Sequence, residues 1–214
     1  MLIRSEASVA NEALTLVGST TKIATLDAPG AIALAIKSVW DSTRDELTAS
    51  HPWNHAQRLA VLPADSEVPP HSYERQYSLP ANYLRWLPPQ QDNEFYFVGE
   101  QYGDAIYSNA DAPIRIRYIA QVIEPRLWSP GFAKAMSASI AKQISQPVTG
   151  LFPLEDRRAN DFDRMIKAVK RQDGMATGKR QTNPNSRSRY LLARHGYDGG
   201  GRDGYGYPYQ FGDI

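Results

Sequence analysis

Residues 40–56 read Trp40-Asp41-Ser42-Thr43-Arg44-Asp45-Glu46-Leu47-Thr48-Ala49-Ser50-His51-Pro52-Trp53-Asn54-His55-Ala56. Trp40, Thr43 and Leu47 extend a stripe that starts at Ile32, Ile36 and Val39, the spacing of one helical face. Lys37, Asp41, Arg44, Asp45 and Glu46 fall on the other faces. The spacing predicts a helix over residues 30–49. Asp27 and Pro29 supply its start, since proline presets the backbone angle of a first turn. His51-Pro52 ends it, because proline disfavours helical geometry in the residue before it.

Toward the N-terminus, residues 5–17 read as another helix. Ser5 is its N-cap, since a serine hydroxyl accepts from a free backbone N–H of the first turn. Ala10, Ala13, Leu14 and Val17 share a face, and Gly18 can end the helix in the left-handed region. Toward the C-terminus the texture changes. Short aromatic and β-branched runs alternate with Pro, Asn, Asp and Gly. They predict strands at 58–62, 73–78, 85–87, 95–98, 105–107 and 114–119, with prolines at the breaks. Ile114-Arg115-Ile116-Arg117-Tyr118 alternates, which argues for one buried and one wet face.

Helix returns after Pro130. Phe132, Met136, Ile140 and Ile144 are spaced by four, and Ala133, Ala135, Ala138 and Ala141 keep this helix thin enough to pack closely. Pro147 is expected to stop it. A further helix over 154–171 carries Phe162, Met165, Ile166 and Val169 on one stripe, with dense charge over 155–163. The expected fold is therefore α+β: a four-helix bundle-like core, an inserted small antiparallel β-region and an extended C-terminal arm. The segments are an N-terminal helical pair (1–56), the β-region (57–121), a second helical pair (122–173) and the arm (174–214).

The arm holds 9 of the chain's 15 glycines and 5 of its 12 tyrosines. Its composition cannot build a core alone. Tyrosine offers large contact area at low entropy cost, which suits a segment that orders on a partner. Arg187, Arg189, Tyr190, Arg194, Tyr197, Tyr205, Tyr207 and Tyr209 are its candidate binding residues. Over the whole chain 24 basic residues meet 23 acidic ones, so the net charge of +1 gives no general pull toward nucleic acid or an anionic membrane.

Chemistry is sparse. With no cysteine, disulfides, thiolate metal sites and cysteine nucleophiles are excluded. No apolar run is long enough for a membrane-spanning helix. Residues 1–6 lack the basic start of a signal peptide, which predicts a soluble, cytoplasmically made protein. His51 and His55 are four apart, the spacing of two metal ligands on a helix, but Pro52 between them breaks that geometry. Phosphate-binding glycine motifs and a Gly-x-Ser-x-Gly elbow are missing. Asp45-Glu46 and Glu155-Asp156 read as solvated helix faces. No catalytic, cofactor or metal residue is assigned, and a hydrolase would need a pocket of converging polar groups. Lys167, Lys170, Arg171, Lys179, Arg180, Arg187 and Arg189 form a basic stretch ahead of Tyr190, which keeps a basic-tailed nucleic-acid-binding protein as an alternative.

The stretch from Trp40 to Ala56, with its Arg44-Asp45 pair and Pro52-Trp53 end, resembles the signature of the phage tail tubular protein A family. These are head-to-tail adaptors of short-tailed phages. His55 stands where an aromatic is usual. Tyr77-Ser78-Leu79-Pro80-Ala81-Asn82-Tyr83-Leu84-Arg85 resembles a second family segment, with Asn82 where Asp is usual. Ala7, Asn11, Ala13, Leu14, Gly18, Ile23, Leu26 and Asp27 fit the family's opening, and the resemblance covers residues 5–170. It implies a non-enzymatic virion protein of the tail or neck, assembled in the host cytoplasm. Its implied partners are copies of itself in a ring, a dodecamer, with a portal protein above and a tail nozzle like tail tubular protein B below. Contact with genomic DNA in the channel would be non-specific. Trp40, Leu47 and Trp53 are read as core. Arg44 and Asp45 are read as a helix-surface or intersubunit pair, and Leu79-Pro80 as a strand end packed on the helices. Arg44, Asp45, Trp53, Tyr77, Pro80 and Arg85 are the residues of fold or subunit contact. A neck connector of a long-tailed phage is the nearest alternative.

Overall fold

A computed structural model describes residues 4–67, 69, 73–89, 95–149 and 152–176. The fold is α+β. Among the described residues, four helices are joined by two three-stranded antiparallel sheets.

Helix α1 (Glu6–Val17) begins at Ser5, whose hydroxyl accepts from the Ser8 N–H while the Ser8 hydroxyl accepts from the Ser5 N–H. This reciprocal pair satisfies two donors that the first turn leaves free. Gly18 ends α1 at φ 85°, where a side chain would be strained. Asn11 then clips the following loop, donating to the Ile23 carbonyl and accepting the Ile23 N–H, both at 2.9 Å. Helix α2 (Ala31–Ala49) buries Ile36, Trp40, Thr43 and Leu47 of the expected stripe, leaves Ile32 and Val39 half-buried, and adds Ala33. It also buries Arg44 and Thr48, which corrects the placement of Arg44 on an outer face.

Helix α3 (Pro130–Thr149) packs against α1, α2 and α4 (Phe152–Ala176). Its Phe132, Met136, Ile140 and Ile144 are buried, together with the four alanines that keep it thin. Small side chains let the neighbours approach. A Cβ at Gly131 would lie 2.8 Å from Val169 Cγ1 of α4. Pro147 does not stop α3, which continues to Thr149. So near the helix end, its missing N–H removes one backbone bond rather than a ladder of them. Helix α4 likewise passes Arg171 and runs to Ala176, so its end lies inside the segment expected to open the arm.

The first sheet has the order β1 (Gln57–Leu62), β6 (Ile114–Ala120), β3 (Tyr83–Leu87). The second has β2 (Arg75–Ser78), β5 (Ala105–Ser108), β4 (Gly99–Tyr102). The expected strand at 95–98 is displaced, and the pairing strand is β4. Phe97 instead turns inward and stacks on Trp86 with centroids 6.1 Å apart. Gly99 then brings the backbone against β5, where a Cβ would meet the Tyr107 carbonyl at 3.0 Å.

The two sheets enclose their own core, which includes Leu62, Tyr77, Trp86, Phe97, Ile106, Ile114, Ile116 and Tyr118. Alternation along β6 sends Ile114, Ile116 and Tyr118 into this core, while Ile119 points the other way into the helical core. The first sheet therefore lies between the helices and the second sheet. Leu79 joins the sheet core rather than packing on the helices, and its N–H donates to the Asp104 carbonyl of the β4–β5 turn. No helix among the described residues is long and apolar enough to cross a membrane.

Candidate functional site

The stretch after α2 builds the joint between helices and sheets. Ser50 caps α2, and the chain turns at once so that Trp53 enters the helical core fully buried. Its indole N–H donates to the Leu47 carbonyl at 2.8 Å, one of the carbonyls that a helix end leaves free. An aromatic chain runs through the joint. Trp40 stacks on Trp128 at 6.2 Å, Trp128 meets Phe132 edge-on at 5.2 Å, and Phe132 meets Trp53 edge-on at 5.2 Å. Edge-to-face pairs of this kind add about 0.5–1.5 kcal/mol beyond their buried area. Trp128 is itself fixed by donating to the Val122 carbonyl at 2.8 Å.

Both histidines serve this joint. His55 lies edge-on to Phe132 at 4.7 Å, and its two ring nitrogens are buried without a hydrogen-bond partner. Burial, with Arg58 nearby, pushes its pKa down to about 4, so it sits in the core as a neutral aromatic ring. His51 packs edge-on to Trp53 at 4.8 Å, with Nε2 3.5 Å from the Asp173 carboxylate. Burial lowers its pKa as well, and the Asp173 charge opposes that shift. Among the described residues no three or more His, Asp or Glu side chains gather as a metal site would require.

Arg44 corrects the helix-surface reading. Its side chain is only 6% exposed, and its guanidinium forks onto Asp45 while also reaching Asp41 at 2.6 Å. Burial works against the charge, but Asp45 and Asp41 outweigh it and raise the pKa further. Asp45 also accepts from Gln121 Nε2 at 2.8 Å, so the ion pair ties α2 to the segment leaving β6.

The second motif segment sits in the sheet core. Tyr77 is buried and its hydroxyl donates to the Ala110 carbonyl at 2.6 Å. Pro80 closes the turn into β3 by accepting from the Tyr83 N–H at 2.9 Å. Arg85 is half-buried in β3, paired in register with Ile119. Thus Arg44, Asp45 and Trp53 gather at the joint, while Tyr77 belongs to the other core. The arm residues Arg187, Arg189, Tyr190, Arg194, Tyr197, Tyr205, Tyr207 and Tyr209 lie outside the described residues.

Sequence reasoning missed Asp173, Gln121 and Trp128. Nothing in the local pattern marks them, because each acts on a residue far away along the chain. It also missed a groove of about 380 Å³ on the first sheet, whose lining includes Leu59, Val61, Leu87, Phe95, Arg115 and Arg117. Leu59 is 80% exposed and Val61 60%. The Arg115 guanidinium stands 4.0 Å from the centre of the Phe95 ring. The groove can offer apolar contact with cationic flanks, and it lies on a different part of the chain from the Trp53 joint. No protein-family model matches this sequence, and no curated protein matches it.

Proposed function

We propose that the chain is a structural virion subunit, a ring-forming adaptor that joins a phage portal to the tail nozzle and extends the DNA channel. The observation that carries this reading is the joint at residues 40–56. The motif that resembles tail tubular protein A works by packing and internal pairing: Trp53 plugs the helical core, and Arg44 with Asp45 anchors the exit from β6. A motif devoted to holding two layers at a fixed angle suits a subunit whose job is shape. The exposed apolar groove on the first sheet adds support, since a patch of this kind calls for a covering partner.

In this proposal the partners are further copies of the chain, twelve by resemblance, a portal ring above and a nozzle below. DNA in the channel is touched without sequence preference. Each copy-to-copy contact is head-to-tail and the set is closed by rotation. Docking on a symmetric portal raises the local concentration of neighbours, so modest interfaces add to one stable collar. The residues beyond Ala176 form the portal-binding arm.

Sedimentation of the purified chain with and without its cognate portal ring tests this. The expected result is a small free species and co-sedimentation with the portal at a fixed subunit ratio. Truncation after Ala176 is expected to abolish co-sedimentation while leaving the circular dichroism of the helices intact. Absence of portal association at any salt concentration, with DNA binding that weakens steeply as salt rises, would replace the adaptor by a nucleic-acid-binding protein.

A further inference from the structure

Strands β1 and β4 are both edges of their sheets, since each pairs with a single neighbour. On their outer sides neither makes a backbone hydrogen bond to any other described residue. An exposed strand edge is a row of unpaired N–H and C=O groups, a template for another strand. The other two edges are less open: Gln76 of β2 accepts the Asp65 N–H at 2.8 Å, and β3 has α2 packed near it.

The two open edges sit on opposite flanks of the stacked sheets. Beyond β1, Asp65 bonds to both Gln76 and Ser78 of β2, so β1 lies over β2. The Tyr83 hydroxyl of β3 donates to the Gly103 carbonyl and accepts from Gln101 of β4, and Trp86 stacks on Phe97, so β3 lies over β4. Strand β6 separates β1 from β3, just as β5 separates β2 from β4.

Their chemistry is complementary. The β1 edge carries exposed Leu59 and Val61 and is flanked by exposed Arg58 and Arg115, the latter in register with Val61. The β4 edge carries exposed Val98 and Tyr102 with exposed Glu100 and Asp104. The Tyr102 and Tyr73 hydroxyls bonded to Glu100 hold its pKa below the usual carboxylate range, so it is an anion. Pairing β1 with β1 about a twofold axis would gather the arginines of both copies, and pairing β4 with β4 would gather the acids. Only the unlike pairing brings cations to anions while covering apolar side chains on both sides.

We infer that β1 of one copy pairs with β4 of the next, so that the first sheet of each subunit continues into the second sheet of its neighbour. This contact is heterologous, and opposite placement of its two halves is what a head-to-tail ring requires. The inference rests on the adaptor reading for the ring but names the surface that builds it.

The chain has no cysteine, so introduced cysteines report without background. Leu59→Cys, Val98→Cys and Tyr102→Cys alter side chains that are 80%, 69% and 58% exposed. Each variant, alone and mixed, is treated with a short bismaleimide, both at high concentration and on the portal ring. The expected result is dimer only in mixtures of Leu59→Cys with Val98→Cys or Tyr102→Cys, and a ladder of multimers in the double variant Leu59→Cys/Tyr102→Cys. Leu59→Cys cross-linking to itself, or assembly on the portal without a β1–β4 cross-link, would overturn this interface and leave the ring standing. Cross-links at high concentration without portal sedimentation would uphold the edge pairing and remove the portal role. Absence of both cross-link and sedimentation would remove both.

Discussion

Asn54 and Asp173 are 119 residues apart in the chain, yet the Asn54 N–H donates to Asp173 Oδ2 at 3.1 Å and the Asn54 amide donates to the Asp173 carbonyl at 2.9 Å. The turn after α2 is thereby latched to the last turns of α4. Asp173 is 7% exposed, and its carboxylate also lies 3.5 Å from His51. Removing a buried acceptor leaves its donors unsatisfied and costs about 1–3 kcal/mol. Asp173→Ala is therefore expected to lower the unfolding free energy measured in urea by that amount and to speed amide exchange in the last turns of α4. Asp163→Ala, at an exposed position of the same helix, is the control and should change stability by less than about 0.5 kcal/mol. Equal effects of the two variants would show that the latch holds nothing.

The helices were legible because their apolar residues recur at one period, and the ends were legible where a local device exists, as at Ser5 and Gly18. What escaped was set by distance or by cancelling signals. Arg44 carries a formal charge, so pattern puts it outside; its burial depends on Asp45, Asp41 and a glutamine 77 positions away, Gln121. Strand β4 contains a glycine and two polar residues, and it pairs because Gly99 allows close approach to Tyr107. The Asn54–Asp173 latch has no local signature at all. The motif that carries the family resemblance was legible as a motif, but its role as a joint emerged only with the packing of Trp53, Phe132 and Trp128.

Gly131 decides how near α3 comes to α4. Alanine is ordinarily the better helix former by about 1 kcal/mol, so local propensity alone favours Gly131→Ala. The new Cβ would stand 2.8 Å from Val169 Cγ1, a stiff branched side chain, and overpacking of this kind costs about 1–3 kcal/mol. The net expectation is destabilisation. In the double variant Gly131→Ala/Val169→Ala the clash is gone, so the loss should be smaller than the sum of the single losses. A thermodynamic cycle by urea unfolding reads the coupling directly. Additive losses would mean that the helices do not meet there.

Arg44 is held by a fork that lysine cannot copy, since one ammonium cannot donate two parallel bonds to Asp45. Arg44→Met keeps the buried stem but leaves Asp45 with Gln121 alone. Asp41 is 78% exposed and regains water, so the cost should stay near about 1–2 kcal/mol rather than the larger penalty of stranding a fully buried charge. Arg44→Lys should lose nearly as much as Arg44→Met. Equal stability of Arg44→Lys and the parent would show that charge alone, not the fork, is what the site uses.

His55 makes the stability of the helical core depend on pH. Its pKa is about 4 in the folded chain against an ordinary 6.5, because burial and Arg58 disfavour its charged form. Between those values the unfolded chain binds the proton more readily, so stability from this residue is complete above about pH 6.5, falls as pH drops, and is gone by about pH 4. The 2.5-unit gap corresponds to up to about 3 kcal/mol. His51, whose pKa is also lowered, acts in the same direction. His55→Phe keeps an aromatic ring against Phe132 and cannot bind a proton. Urea unfolding at about pH 7.5 and about pH 4.5 should therefore show a smaller loss on acidification for His55→Phe than for the parent, by roughly that amount. An identical loss in both would mean that His55 reaches solvent and takes up its proton without opening the core.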